Sequence, residues 1–288
     1  MEYREFTDFF HWIHTSASLI FDCIQSTSAS QHQRVIQPIL SLAGGTTPLP
    51  VYQELAILIA DNYMLTSTTK PIILIPGDER LTPEVAPKMS SATIACKASH
   101  HQANMEIKNI STEQATSQRN EAMLMRAFKP VMEKQLAHLV SWYRIPIQSV
   151  MSDLTLTNSY SNQHWQFIAE TICADMEIYI KKLTLKREIL FDCTVLGIGT
   201  DGHLAGIFGT ELQLHATQNK TAGYFIAPQE PRHRMSLLPY ILQNTRMTLI
   251  LLHKKGKEHV VDSILNNQHT LFNQIQSKKT IICCYNNT

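Results

Sequence analysis

The chain has 288 residues, 44% of them hydrophobic and 17% charged, with a formal net charge of +1. That length can bury a sizeable core, as one large α/β domain or two small ones. The near-neutral charge excludes a nucleic acid or a membrane surface held by bulk electrostatics.

The opening segment MEYREFTDFFHWIH has no basic stretch leading into an apolar one, so it does not read as a signal peptide. No apolar run approaches the roughly 20 residues that span a bilayer. Residues 8–24 carry Phe9, Trp12, Ile13, Ile20 and Ile24 at helical spacing. Val35 to Leu42 reads as a first buried strand despite Pro38. Gly44-Gly45-Thr46-Thr47-Pro48 ends it, and a helix to about Ala60 follows, with Thr47 as N-cap and Pro48 at the first helical position. Ile72 to Ile75 is a second strand, closed by a turn from Pro76 to Arg80. Residues 82–118 are rich in Ser, Thr, Lys, His and Gln and read as an inserted, lid-like excursion from the core.

Helical spacing returns from Asn120 to Leu139, with Pro130 expected to break or kink it. Residues 145–160 read as a short strand or loop and 163–183 as an amphipathic helix. Phe191 to Leu196 is a β-rich strand that runs into Gly197-Ile-Gly199. Residues 224–242 lead into a strand from Met247 to Leu252, then a helix over 255–266 and a last strand from Thr280 to Tyr285. This alternation predicts one α/β domain over 1–288, built on a single open, mostly parallel sheet with helices on both faces. The six cysteines show no C-x-x-C spacing, and Cys283-Cys284 suits neither a usual disulfide nor a metal clip. Reduced, mostly buried thiols in a cytoplasmic protein are the expectation.

Three constellations could carry chemistry. In Gly44-Gly45-Thr46-Thr47, glycines allow close approach of the backbone to an anion, and a helix start favours phosphate. An ordinary tight turn with a capped helix reads equally well. Asp78-Glu79-Arg80 could orient a base or grip a phosphate, or be a solvated turn with a local ion pair. Asp201-Gly202-His203 puts a carboxylate and an imidazole at a strand's carboxyl end, where open parallel sheets bind ligands. Imidazole ordinarily titrates near neutrality, so a histidine there suits a base. Arg232, His233, Arg234 and Lys257 matter only if the fold brings them to the same crevice. His11-x-x-His14 and His100-His101 lack companions at ligand spacing, so no metal and no cofactor are expected.

Taken in order, these pieces resemble the 6-phosphogluconolactonase family, within the wider group that includes glucosamine-6-phosphate deaminases. The family's LSGGSTP resembles Leu42-Ala-Gly-Gly-Thr-Thr-Pro48, and its aspartate-glutamate-arginine motif stands at Asp78-Glu79-Arg80. Its glycine-rich DGH segment corresponds to Gly197 through His203, and its later arginine to Arg234-Met-Ser-Leu-Leu-Pro239. The lysine of its G-x-x-K segment maps onto Lys257, with Lys254 the alternative. The family's Ser-Asn is best matched by Arg119-Asn120, well downstream of its usual place. Leu204-Ala-Gly-Ile-Phe-Gly209 departs from the family's usual sequel to DGH. The deaminase branch typically has a tyrosine at the position of Arg80 and an Asn-Glu-Pro after DGH, both absent here.

The resemblance implies the fold shared by these deaminases, ribose phosphate isomerases and CoA transferases. It also implies hydrolysis of 6-phospho-D-glucono-1,5-lactone, a step of the pentose phosphate pathway, with a sugar phosphate as the small-molecule partner. The catalytic residues would be His203, Asp201 and Asp78, with backbone N–H groups near the glycines holding an oxyanion. Gly44, Gly45, Thr46, Thr47, Arg80, Asn120, Arg234 and Lys257 would bind substrate and its phosphate. A monomer or small homo-oligomer is expected. A deaminase-like aldose-ketose isomerase and a non-catalytic sugar-phosphate sensor on the same fold are the alternatives.

Overall fold

A computed structural model describes residues 1–28, 37–63, 70–82, 119–129, 137–147, 150, 161–185, 187–209 and 219–286. Apart from Thr82, the expected excursion over 82–118 lies outside the described residues, as does most of the strand or loop expected over 145–160. The elements in chain order are β1 (Glu2–Phe6), α1 (Phe9–Ser28), β2 (Ile39–Leu42), α2 (Leu49–Asn62), β3 (Ile72–Pro76) and β4 (Asp78–Arg80). They continue with α3 (Asn120–Ala127), β5 (Val140–Trp142), α4 (Asn162–Thr184), β6 (Phe191–Gly197), β7 (Ala222–Ile226) and β8 (His233–Leu237). α5 (Pro239–Gln243), β9 (Thr245–His253), α6 (Glu258–Leu265), α7 (Thr270–Ile275) and β10 (Thr280–Tyr285) complete them.

Seven strands form one parallel sheet in the order β1-β10-β9-β6-β2-β3-β5. Their near-continuous apolar composition follows from burial on both faces. Side chains alternate between two cores. Ile39, Ile73, Ile75, Ile250, Leu252 and Ile282 pack with α4, α6 and α7 residues such as Ile172, Val261 and Phe272. Leu40, Leu42, Ile72, Leu74, Leu249 and Ile281 pack with α1 and α2 residues such as Trp12, Ile20 and Leu55. The same alternation places Cys284 in the first core and Cys283 in the second. All five described cysteines are free.

A second, three-stranded antiparallel sheet, β4-β8-β7, joins the first through Gly77, whose N–H donates to Leu42 O (2.9 Å) and whose carbonyl accepts from Leu237 N (2.8 Å). It corrects two expectations. Asp78–Arg80 is a strand rather than a turn, because β8 supplies its ladder. Residues 224–242 hold a β-hairpin and a short helix rather than a simple approach to β9. The strand expected to come first is preceded by β1, which adds to the sheet edge beside β10. Pro48 rather than Thr47 occupies the α2 N-cap position, with no side-chain cap. The helix expected over Asn120 to Leu139 is described as α3 only to Ala127, and Ala137–Leu139 is a single 3-10 turn leading into β5. The helix expected over 255–266 is shorter: it spans Glu258–Leu265, with α7 following.

At the amino end of β6, fully buried Asp192 ties several elements together. It accepts from Thr27 Oγ1 (2.7 Å), Ile39 N (2.9 Å), Arg187 Nη2 (2.7 Å) and Arg246 Nη2 (3.4 Å). Among the described residues no helix is long and apolar enough to cross a membrane.

Candidate active site

From β2 the chain builds outward through β3 to β5, and from β6 the sheet continues through β9 to β10. The direction of strand order therefore reverses between the adjacent strands β2 and β6. The crevice beyond their carboxyl ends is where such sheets bind ligands. The Gly44–Pro48 turn follows β2 and the Gly197–His203 turn follows β6, so two glycine-rich segments distant in sequence become neighbours. A cleft of about 380 Å³ lies there. Its walls include Gly44, Gly45, Thr46, Thr47, Asp78, Arg80, Asn120, His203, Arg234 and Lys257. Asp201 lies just outside this lining.

The turn carrying His203 is closed by Gly199 N donating to His203 O (2.9 Å) and Gly202 N to Gly199 O (3.1 Å). A Cβ on Gly199 would lie 2.2 Å from His203 Nδ1 and 2.5 Å from Asp201 Oδ1, so only glycine leaves room for this pair. His203 Nδ1 meets Asp201 Oδ1 at 2.5 Å, and the same oxygen accepts the His203 amide at 3.2 Å. Partial burial alone would raise the Asp201 pKa, but its bonds with His203 outweigh burial and hold it below the ordinary value. With Nδ1 committed to a carboxylate, neutral His203 presents Nε2 as its proton acceptor. The ring packs on Phe208, with centroids 4.5 Å apart. The unusual sequel to His203 is anchored by fully buried Leu204 and Ile207, and Leu204 bridges to both Ile198 and Ile207.

Between the two possible orienting carboxylates, Asp201 makes the imidazole contact. Asp78 lies instead beside the Gly44 amide. Burial raises the Asp78 pKa, while Arg234, the Gly44 N–H, Arg80 and His203 oppose that rise. Three glycine amides in this region are engaged within the protein itself. The Gly199 and Gly202 amides close the turn, and the Gly206 amide donates to Ser236 Oγ (3.1 Å).

Arg80 and Arg234 are cross-strand partners in the β4–β8 ladder. Burial, reinforced by the neighbouring Arg80 charge, lowers the Arg234 pKa, and its buried Nε has no hydrogen-bond partner among the described residues. Lys257, whose pKa burial lowers, reaches Ile198 O at 2.5 Å. Lys254 instead pairs with Glu5 at 3.2 Å, so Lys257 is the lysine in the cleft.

Glu79, fully buried, is fastened differently from its neighbours. Its Oε1 accepts from Arg80 N (2.7 Å) and Asn120 N (2.8 Å), and its Oε2 accepts from Glu121 N (2.8 Å). It thus satisfies two orphan amides at the start of α3 from another element. Burial nonetheless pushes its pKa up to about 7. Asn120 Nδ2 donates to Asp78 O (3.0 Å), and a Gly44 Cβ would overlap the Asn120 side chain. Gly44 and Asn120 therefore fit only as a pair.

Sequence reading did not single out Phe208, Gly206 or Glu230 as cleft residues, nor Gln229 beside Glu230. Phe208 was open to detection as an aromatic shortly after His203, whereas the Gln229-Glu230 segment reaches the cleft only through the second sheet. Among the described residues no group of three or more His, Cys, Asp or Glu side chains could hold a metal ion.

A model of the family described as glucosamine-6-phosphate isomerases/6-phosphogluconolactonase matches residues 12–279. Among solved structures, 6-phosphogluconolactonase from Trypanosoma brucei is similar at 16% identity and TM-score 0.65, over 99% of this chain and 95% of that one. That from Thermotoga maritima is similar at 17% identity and TM-score 0.63, over 99% and 98%. A third, from Shewanella baltica OS155, gives 16% identity and TM-score 0.64, over 99% and 97%. At these identities the likeness establishes the fold. No curated protein matches the chain.

Proposed function

The chain belongs to the glucosamine-6-phosphate isomerase and 6-phosphogluconolactonase family, and from that premise we propose that it hydrolyses 6-phospho-D-glucono-1,5-lactone to 6-phosphogluconate. The observation that carries the reading is His203, paired to Asp201, lining the same cleft as Arg80, Arg234 and Lys257. A general base and a cluster of cations within one small cleft suit an anionic substrate whose carbonyl is attacked by water. The lactone carbonyl is already electrophilic, so no covalent nucleophile is needed.

In this reading Arg80, Arg234 and Lys257 grip the 6-phosphate together with the Gly45–Thr47 turn at the start of α2. His203 Nε2 takes a proton from water as its oxygen bonds to C1. Asp201 stabilises the resulting imidazolium. The imidazolium then returns the proton to the ring oxygen as the C1–O bond breaks, so the base is regenerated. Asp78 and Asn120 shape the wall between the phosphate grip and the base.

A coupled assay of 6-phosphogluconate production, run beside ammonia release from glucosamine 6-phosphate, tests the proposal. The expected result is lactone hydrolysis above the spontaneous rate with no ammonia. His203→Ala should lose about 10²- to 10⁴-fold in kcat, the span of general acid–base catalysis. Ammonia release would move the chain to the isomerase branch, and activity in neither assay would leave a sugar-phosphate sensor.

A further inference from the structure

Gly202, between Asp201 and His203, adopts φ +81 and is backed by a side chain from the far end of the chain. A Cβ on Gly202 would lie 2.9 Å from His269 Nε2, so this ring nitrogen packs directly against the Gly202 backbone. The other nitrogen, His269 Nδ1, accepts the Phe272 amide at 3.1 Å and so caps α7. The bond to the Phe272 amide defines one neutral tautomer: a bare acceptor at Nδ1 and a proton at Nε2, on the side of the ring that faces Gly202. Burial is the largest influence on His269 and lowers its pKa, which favours this neutral form. His269 does not line the cleft beside Arg80 and Arg234. It lines an adjoining cleft of about 790 Å³, together with Asp201, His203 and Phe208.

We propose that His269 is a positioning residue that holds the Asp201-Gly202-His203 turn in register through the Gly202 backbone. The catalytic pair is partly exposed and sits on a turn with a left-handed glycine, and the bonds that close this turn lie within residues 199–203, so its place against the core depends in part on contacts from other elements. α7 is rooted in the core by Leu271, Phe272 and Ile275. His269 transfers that rigidity to the turn. The inference deepens the lactonase reading and rests on it.

Two substitutions divide the roles of the ring nitrogens. In His269→Asn the side-chain oxygen can replace Nδ1 as the cap of α7, but nothing replaces Nε2. In His269→Gln the amide can reach Gly202, but the cap is lost. Positioning predicts that His269→Asn keeps the wild-type Tm and KM yet loses about tenfold or more in kcat, the scale of a small misplacement of a reacting group. His269→Gln should lower Tm and keep most of kcat. Wild-type kcat in His269→Asn, or a kcat that follows Tm across both variants, would overturn the proposal. Imidazole NMR of His203 without substrate supplies a second readout. The Nδ1–H signal of its bond to Asp201 should shift or broaden in His269→Asn and persist in His269→Gln, and an unchanged signal in both would count against the role. A wild-type protein inactive on the lactone would overturn the lactonase reading alone, because the NMR comparison needs no turnover.

Discussion

Arg80 and Arg234 stand directly opposite one another in the β4–β8 ladder, two cations in register on the wall of one cleft. Like charges facing across a ladder destabilise it, by about 0.2–1 kcal/mol for an ordinary pair. Asp78 lies close enough to counter both charges, and a bound dianion would complete the neutralisation. Arg234→Gln should therefore leave the Tm of the free protein unchanged or higher. It should also raise KM about 10- to 100-fold, the value of a charge-assisted hydrogen bond of roughly 1.5–3 kcal/mol. Melting curves with and without inorganic phosphate check this, since the wild type should gain more from phosphate than the variant. A lower Tm with an unchanged KM would make Arg234 a purely structural residue.

Gly197 and Gly199 are two residues apart and should respond in opposite ways. A Cβ on Gly199 would strike His203 Nδ1 and Asp201 Oδ1, whereas one on Gly197 meets nothing within 4 Å. Gly199→Ala should cut kcat sharply by parting the Asp201–His203 pair. Gly197→Ala should keep the pair and most of kcat. Equal losses in the two variants would show that the turn tolerates no side chain for some other reason.

Glu79 predicts a pH signature in stability. Its pKa in the folded protein is pushed up to about 7 by burial, from an ordinary 4.5. Between those values the folded state holds a proton that the unfolded chain has released. Its contribution is thus complete below about 4.5 and is lost as pH rises towards 7, at up to about 1.4 kcal/mol per pH unit. Chemical denaturation of wild type and Glu79→Gln across that window should show this slope only in the wild type. Parallel curves would mean that the three amide donors keep Glu79 ionised throughout.

Asp192 separates stability from chemistry. It is buried at the amino end of β6, away from the cleft, with two arginines and two other donors converging on it. Asp192→Ala strands those groups and should cost about 3–5 kcal/mol of stability, as removal of one partner from a buried ion pair does. The fraction that still folds should turn over at the wild-type rate per active molecule. A selective fall in kcat would connect this end of the sheet to the active site.

The central strands and long helices were legible because their burial is written into local pattern. Thr280–Tyr285 and the long helix ending at Thr184 are apolar or amphipathic over their own length. β1 was not legible. Its sequence EYREF is short and charged, and it becomes a strand only through pairing with residues at the other end of the chain. β4 is similar: three polar residues form a strand because β8 lies alongside. The glycine turns could be found because glycine marks backbone geometry directly. The roles of Glu79 and His269 could not, since both depend on partners far away in sequence.

Glu79 also ties together two parts of the chain that are far apart in sequence. A single carboxylate clasps Arg80, just before the chain leaves at Thr82, and Asn120, just after it returns at Arg119. The two ends of that interval are fixed to each other independently of how many residues join them. That one carboxylate therefore sets the start of α3 directly against β4, and with it the place of Asn120 against Gly44.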